Sequence, residues 1–270
     1  MKIKNKIAAA LVTGTMLTAG SASAQIDLLE GWSGAASLGA VLTAGNSDTR
    51  NLNGSASVSK QIDVWRHTAF GSIFNAENND IETANRFDLG YKLDRNINDL
   101  TYVFGRLRFD SDDFGNIDSR VTGVVGIGRK LIDDGKQTLD AEIGVGAQRT
   151  EFLTLTPVIS TDPDALDQFG FPLPDPNQEP LDSLETDGAT LYGSLNYGNI
   201  LSDLLTFNSV FTFEADEDNV YSVWDNSLAI SVSDRISLSI GLLSRNNTDI
   251  VGPLGENTDT STRLSLVYGI

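Results

Sequence analysis

The chain has no cysteine, one histidine, seven prolines and little positive charge. Without cysteine it can form neither a disulfide framework nor a thiolate metal site. Its 19 Lys and Arg residues face 37 Asp and Glu residues, for a net charge of −18. This balance argues against a nucleic-acid partner, because phosphate binding needs clustered Lys and Arg. After the first 24 residues, no apolar run is long enough for a membrane-spanning helix.

The first 24 residues predict a cleaved signal peptide. They contain three early lysines, an apolar region over Ile7–Thr18 and a small-residue cleavage site at Ala22–Ala24. The rival interpretation, a membrane anchor, is weaker because threonines interrupt the short apolar region. Cleavage would start the mature chain at Gln25 with a net charge of −21. An exported chain of this kind is a soluble periplasmic β domain, a secreted protein or an outer-membrane barrel.

A period of two residues runs through the mature chain. At its end, Leu264, Leu266 and Tyr268 alternate with polar or small residues such as Arg263 and Ser265. Apolar residues on one strand face and polar or small residues on the other, repeated many times, are typical of a barrel in lipid with a wet interior. We predict an all-β fold: a transmembrane antiparallel up-and-down β-barrel of about twelve strands, forming one domain over residues 25–270, with both termini periplasmic.

The connections between predicted strands alternate between short and long. Longer ones are predicted at Glu77–Asn85, Ser111–Ser119, Glu151–Asp187 and Asn246–Ser261. All seven prolines lie in the last two of these. Proline inside a closed sheet would remove a ladder hydrogen bond that lipid cannot replace. The pattern therefore favours a barrel with short periplasmic turns and longer outer loops.

Charges of both signs lie on the minority face of adjacent predicted strands. An Arg or Lys facing lipid at mid-bilayer costs about 2–4 kcal/mol, so the charged faces are predicted to line the lumen. A soluble β-sandwich also alternates, but it would place these charges in bulk water. The candidate lumen charges are Arg86, Asp88, Lys92, Arg106, Arg108, Arg120, Lys130, Asp140 and Glu142.

One predicted outer loop, near residues 151–187, is acidic and rich in proline. Its composition favours a solvated segment. The functional alternative is a negative lid over the barrel mouth that concentrates cations and repels anions. Its candidate residues are Asp162, Asp164, Asp167, Asp175, Glu179, Asp182 and Glu185.

Several segments, taken in order, resemble a known family. These segments are Gly31–Gly34, Leu42–Thr49, Trp65–His67, Tyr102–Leu107 and Gly123–Leu131. Together they are similar to the bacterial salt-induced outer membrane protein family, domain-of-unknown-function family 481. The resemblance implies an outer-membrane barrel of a Gram-negative bacterium with no established biochemical activity. The chain departs from the family in a Pro-rich insertion over Thr154–Glu185 and in ending at Ile270 rather than at an aromatic residue.

Enzymatic and metal sites are poorly supported. In outer-membrane phospholipases, a serine nucleophile follows the histidine in a His-x-Ser pattern. Here His67 is followed by Thr68 and Ala69, so the nucleophile is missing at that spacing. The aspartates around Ser111–Ser119 superficially resemble a calcium loop, but Phe114 and Val121 occupy positions five and twelve, where the EF-hand needs oxygen ligands. At most they would form a weak divalent-cation site. We therefore expect no catalytic residues, cofactor or defined metal site.

Three functions remain open. The first is an envelope or salt-stress barrel, as the resemblance implies. The second is a narrow, cation-preferring pore for small solutes, for which the glycines Gly126, Gly128, Gly144, Gly146 and Gly193 would leave room. The third, disfavoured, is a lipid-modifying enzyme. Expected partners are outer-membrane lipid, lipopolysaccharide and the barrel-assembly machinery. The oligomeric state is not predicted.

Overall fold

A computed structural model describes residues 31–43, 49–79, 81–113, 117–152, 185–217, 219–248 and 257–270. The predicted signal peptide lies outside these residues. Within them the chain forms twelve β-strands and no helix, and so contains no helix able to cross a membrane. The strands are β1 (Trp32–Thr43), β2 (Thr49–Ile62), β3 (Trp65–Asn78), β4 (Ile81–Asn96), β5 (Thr101–Asp112), β6 (Ile117–Asp133), β7 (Gln137–Phe152), β8 (Glu185–Ser202), β9 (Leu205–Ala215), β10 (Val220–Ser231), β11 (Ile236–Asn247) and β12 (Thr258–Gly269).

Each strand pairs antiparallel with its neighbours in sequence, and β12 pairs with β1 to close the barrel. The closing register runs from Ala35–Gly269 to Leu38–Leu266. Closure pairs the two strands that would otherwise be sheet edges. The predicted twelve-stranded up-and-down barrel is confirmed.

The connections divide between the two ends of the barrel. One end carries the connections at 63–64, 97–100, 134–136, 203–204 and 232–235, together with the start of β1 and the end of β12. We call it the short-turn end, and the opposite end the long-loop end. Asp63 (φ 52°) and Gly135 (φ 81°) adopt left-handed conformations that allow the tight reversals.

Two predicted loops are shorter than expected. The connection predicted at Glu77–Asn85 spans only 79–80, with Asn79 at φ 51°. The one predicted at Ser111–Ser119 spans 113–116. A strand of about 9–11 residues crosses the hydrocarbon core, whereas β4 has 16 residues and β6 has 17. The barrel wall is therefore longer than a minimal span, and the polar residues taken for loops belong to its strands.

The alternation of faces is as predicted. On β12, Leu264, Leu266 and Tyr268 point outward and are 49%, 55% and 42% exposed, while Ser265 and Val267 are buried. On β4, Leu89 and Tyr91 point outward, and Asp94 is buried in the interior. The outer surface is therefore apolar, and the polar groups are gathered inside.

Candidate functional site in the lumen

The inner faces of β3–β9 form one side of the lumen, which we call the packed wall. All nine candidate lumen charges lie on it. They are Arg86, Asp88 and Lys92 on β4, Arg106 and Arg108 on β5, Arg120 and Lys130 on β6, and Asp140 and Glu142 on β7.

An arginine cluster lies toward the long-loop end of this wall. Arg106 Nη1 donates to Glu214 Oε1 at 2.7 Å, and Arg108 Nη1 lies 3.1 Å from Glu214 Oε2. Arg108 and Arg120 share Asp110, and Arg120 makes a two-point contact with it at 2.7 and 3.2 Å. Glu214 is on β9, four strands from the arginines on β5. Its ion pairs therefore cross the lumen instead of following the sheet.

A second cluster surrounds Glu142 on β7. Lys92 Nζ lies 2.5 Å from Glu142 Oε1 and 2.9 Å from Asp94 Oδ1. Tyr102 donates to the same carboxylate at 2.7 Å and Tyr192 at 3.3 Å. The buried Glu142 carboxylate thus has one cationic partner and two hydroxyl donors, as a buried charge requires.

The two clusters resolve a like-charge conflict. Lys92 stands directly opposite Arg106 in the β4–β5 register, and like charges in that position repel. Lys92 turns to Glu142 three strands away, and Arg106 turns to Glu214. The two carboxylates therefore neutralise the pair from different directions.

The remaining predicted charges lie near the barrel ends. Arg86 bonds Asp112 at 2.6 Å and also contacts Asp259 on β12. Lys130 pairs with Asp133 at 3.2 Å at the short-turn end, and Asp140 is opposite Lys130 in the register.

Aromatic rings fill the space beside the inward glycines. Tyr102, Phe104, Val124 and Tyr192 form a buried cluster. A Cβ added at Gly128 would lie 2.3 Å from the Tyr102 ring, and one at Gly126 would lie 2.7 Å from Phe104. The expectation that Gly126 and Gly128 leave open volume was wrong, because these rings occupy it.

Gly193 also corrects that expectation. It pairs with Phe213, and a Cβ there would lie 2.2 Å from the Phe213 ring. Because Tyr192 and Ser194 point inward on the same strand, Gly193 belongs to the outer face.

The other side of the lumen has smaller side chains. We call the inner faces of β10, β11, β12, β1 and β2 the serine wall. It includes Ser33, Ser37, Ser55, Ser57, Ser59, Ser227, Ser231, Ser237, Ser239 and Ser265, with Gly39 and Gly241. Some of these hydroxyls bond each other, as Ser33 and Ser59 do at 3.2 Å. Arg263 and Asp225 form an ion pair on this wall.

Most of the acidic loop lies outside the described residues. Six of its seven candidate residues lie there: Asp162, Asp164, Asp167, Asp175, Glu179 and Asp182. Its predicted bounds, 151–187, are too wide, because β7 continues to Phe152 and β8 begins at Glu185. Glu185 on β8 forms an ion pair with Arg149 on β7, with 2.5 Å between Arg149 Nη2 and Glu185 Oε1, although the register partner of Arg149 is Asp187.

The residues considered for metal binding or catalysis lie apart. Asp110 is committed to Arg108 and Arg120. The described residues contain no group of three or more His, Asp or Glu side chains able to hold a metal. His67 is on the outer face, where its Nδ1 shares a hydrogen bond of 2.6 Å with Tyr91 Oη.

Sequence reasoning did not select several partners of the lumen charges. Glu214, Asp94 and Arg66 were missed, although Arg66 Nε bonds Asp94 at 2.7 Å. The signal available was strand parity, since Glu214 shares a face with Asn208 and Thr212. Tyr102 is another lumen residue that was not selected: it is buried, and its hydroxyl donates to Glu142.

The family described as "Protein of unknown function, DUF481" matches residues 36–270. No curated protein sequence matches the chain.

Solved barrels show a distant likeness. The NanC porin aligns with 10% identity and a TM-score of 0.48, over 87% of this chain and 100% of that one. The KdgM porin aligns with 8% identity and a TM-score of 0.44, over 88% and 99%. The translocator domain of the autotransporter NalP from Neisseria meningitidis aligns with 10% identity and a TM-score of 0.46, over 88% and 86%.

Proposed function

Since the chain belongs to the DUF481 family, whose function is unknown, we propose a function from the lumen itself: an outer-membrane β-barrel with a narrow, cation-preferring pore for small solutes. The pore runs along the serine wall, beside the ion-pair clusters of the packed wall. The short-turn end faces the periplasm, and the long-loop end faces outward.

The difference between the two walls carries this proposal. About eight strands enclose an interior that side chains fill, and 16–18 enclose an aqueous channel. With twelve strands, the size of the inward side chains decides the outcome. Tyr102, Phe104 and the arginine cluster occupy the packed wall. The serine wall carries many serines and glycines, with larger side chains such as Leu243 and Arg263 between them. Water along the serine wall would satisfy the serine hydroxyls.

The outer surface supports a position in lipid. Large outward residues such as Val125, Val145 and Leu107 are 64%, 62% and 62% exposed. A soluble monomer rarely exposes so much continuous apolar surface. We expect the protein in detergent extracts of the outer-membrane fraction. Its recovery in a soluble fraction without detergent would contradict this location.

Single-channel recording in planar bilayers tests the pore. We expect small, discrete conductance steps from purified protein. Purified protein that inserts, as shown by protease protection of the barrel, and still passes no current would refute the pore. The barrel would then be closed and its role structural.

The acidic loop supports cation preference. Between Phe152 and Glu185 the sequence has six acidic residues and no Lys or Arg. Negative charge at a mouth concentrates cations, and salt screens this effect. Reversal potentials should indicate cation preference at about 0.01 M salt and weaker preference at about 1 M, where the Debye length is short. Anion preference at low salt would contradict the proposal.

An envelope or salt-stress role is the second candidate. The ion-pair clusters that cross the lumen favour a rigid barrel, and the family resemblance implies the stress connection. Growth of a deletion strain at raised osmolarity tests it: slower growth that plasmid-borne protein restores would support the role. Lipid hydrolysis remains the disfavoured third function. We expect no fatty-acid release from phospholipid vesicles, and release that depends on His67 would overturn that expectation.

A further inference from the structure

A cavity of about 210 Å³ lies at the long-loop end of the lumen. Its lining includes Asp88 and Arg86 on β4, Arg120 on β6, and Arg245 and Asn247 on β11. In the strand order, β4 and β11 are five positions apart among twelve. The cavity therefore lies between nearly opposite sides of the barrel. It is smaller than the roughly 300–1,000 Å³ of pockets for drug-sized ligands.

Most charges around the cavity are already paired. Arg86 bonds Asp112 and Asp259, and Arg120 bonds Asp110 through two nitrogens. These ion pairs hold the lining in place. Because their charges are already paired, the guanidinium groups of Arg86 and Arg120 are poor candidates for binding a ligand.

One acid and one base in the lining, Asp88 and Arg245, form no close ion pair in the part of the chain that the structure describes. Asp88 Oδ2 accepts a hydrogen bond from Ser72, but its Oδ1 is buried with no hydrogen-bond partner among the described residues. Arg245 has neither an ion pair nor a hydrogen bond to any side chain in the described ranges, although Asp259 is opposite it in the register. Asn247 Oδ1, on the same strand, is also buried without a partner.

Buried polar groups are normally hydrogen-bonded, and each exception needs an explanation. Arg108 and Arg245 both attract the Asp88 carboxylate, but neither donates a hydrogen bond to its Oδ1. A ligand with one charged group would hydrogen-bond either Asp88 or Arg245 and leave the other without a hydrogen-bond partner. A ligand with a positive and a negative group would provide partners for Asp88 and Arg245 at the same time. Asn247 would accept a further hydrogen bond from an N–H donor.

We propose that this cavity binds a small zwitterion, a molecule with an ammonium group and a carboxylate, such as an amino acid. Its ammonium group faces Asp88, and its carboxylate faces Arg245. The proposal deepens the pore function and rests on it for any role in transport, because it names the class of solute. Binding itself does not require an open pore.

Isothermal titration calorimetry on the full chain in detergent tests the site. The probes are glycine, β-alanine and γ-aminobutyrate, whose charged groups are progressively further apart. Ethylammonium and propionate are single-charge controls. We expect at least one zwitterion to bind about tenfold or more tightly than either control, because charged hydrogen bonds contribute strongly.

Variants assign the binding to the two residues. Asp88→Asn and Arg245→Gln should each weaken zwitterion binding about tenfold or more, whereas Arg245→Lys should retain most of it. Arg149→Gln is the matched control, since Arg149 is exposed on β7 and does not line the cavity. Circular dichroism of each variant checks that the barrel has folded.

Three results would overturn the site: no heat from any zwitterion, equal binding of the single-charge controls, or unchanged binding in folded Asp88→Asn and Arg245→Gln. Conductance recorded in parallel separates the two proposals. Current without zwitterion binding would refute the site and support the pore. Zwitterion binding without current would support the site and refute the pore.

Discussion

The packed wall and the serine wall belong to one continuous sheet with a shared apolar outer face, but their inner faces differ. On the packed wall, carboxylates such as Glu214 and Glu142 hold cations from strands three or four positions away. On the serine wall, short hydroxyls bond neighbours such as Ser33 and Ser59. The outer face follows one requirement, compatibility with lipid. The inner face carries buried ion pairs and aromatic rings on one side and short hydroxyl side chains on the other.

The difference also separates two kinds of stabilisation. On the packed wall, each buried charge depends on a specific partner, so the loss of one partner is costly. On the serine wall, water can replace a lost hydroxyl partner. Substitutions on the first wall should therefore affect stability, and substitutions on the second should affect conduction.

The largest effect is expected from Glu214→Gln. Glu214 is the only ion-pair partner of Arg106 among the described residues, so the variant leaves a buried guanidinium uncompensated. The free energy of unfolding should fall by about 3–5 kcal/mol. Urea titration of protein refolded into lipid vesicles measures it. Glu217→Gln, in an exposed connection, is the control, and equal stability of the two variants would mean that the packed wall does not depend on this ion pair.

The next largest effect on stability is expected where an aromatic ring packs directly on a glycine. Gly128→Ala places a Cβ 2.3 Å from the Tyr102 ring, which must then move from Glu142. Overpacking of this kind costs about 1–3 kcal/mol. Gly105→Ala, which meets nothing within 4 Å, should change stability by less than about 0.5 kcal/mol. The same urea titration compares them, and a similar loss in both would show that backbone freedom, not ring packing, requires glycine.

A bulky side chain on the serine wall should reduce conduction. Ser239 is on the inner face of β11, and Ile240 is its outward neighbour. Ser239→Trp should lower single-channel conductance to about half or less, because side-chain volume decides the opening of a barrel of this size. Ile240→Trp should leave it near the wild-type value. If conductance is unchanged in Ser239→Trp, the current does not pass along this wall.

The smallest effect lies outside both walls, in the connection 134–136 at the short-turn end. Backbone N–H groups of Gln137 and Lys136 donate to Asp134 and lower the pKa of this exposed carboxyl below its ordinary 3.8. A lowered pKa contributes stability above the ordinary value, and the contribution is lost as pH falls through the folded value. The free energy of unfolding of the wild type should therefore be slightly higher than that of Asp134→Asn at neutral pH and equal to it in strong acid. A constant difference across that pH range would contradict the mechanism.

Much of the fold could be predicted from residues close together in the sequence. The outward faces of β4 and β12 follow from alternation of residues such as Leu89 and Tyr91 with charges. Predicted loop positions were less accurate where strands continue past the expected span, as at 79–80. Asp88 was predicted to line the lumen, but nothing near it in the sequence identifies Arg245 as the base across the cavity.

The sequence by itself determined the number of strands and the faces of residues such as Leu89 and Asp88, because a side-chain period of two is a local property of extended backbone. Only the tertiary structure decided which charges meet. The register of twelve strands around a closed sheet brings Arg106 to Glu214, 108 residues away, and seats Tyr102 over Gly128. Such partners depend on closure and strand stagger, which no short segment encodes.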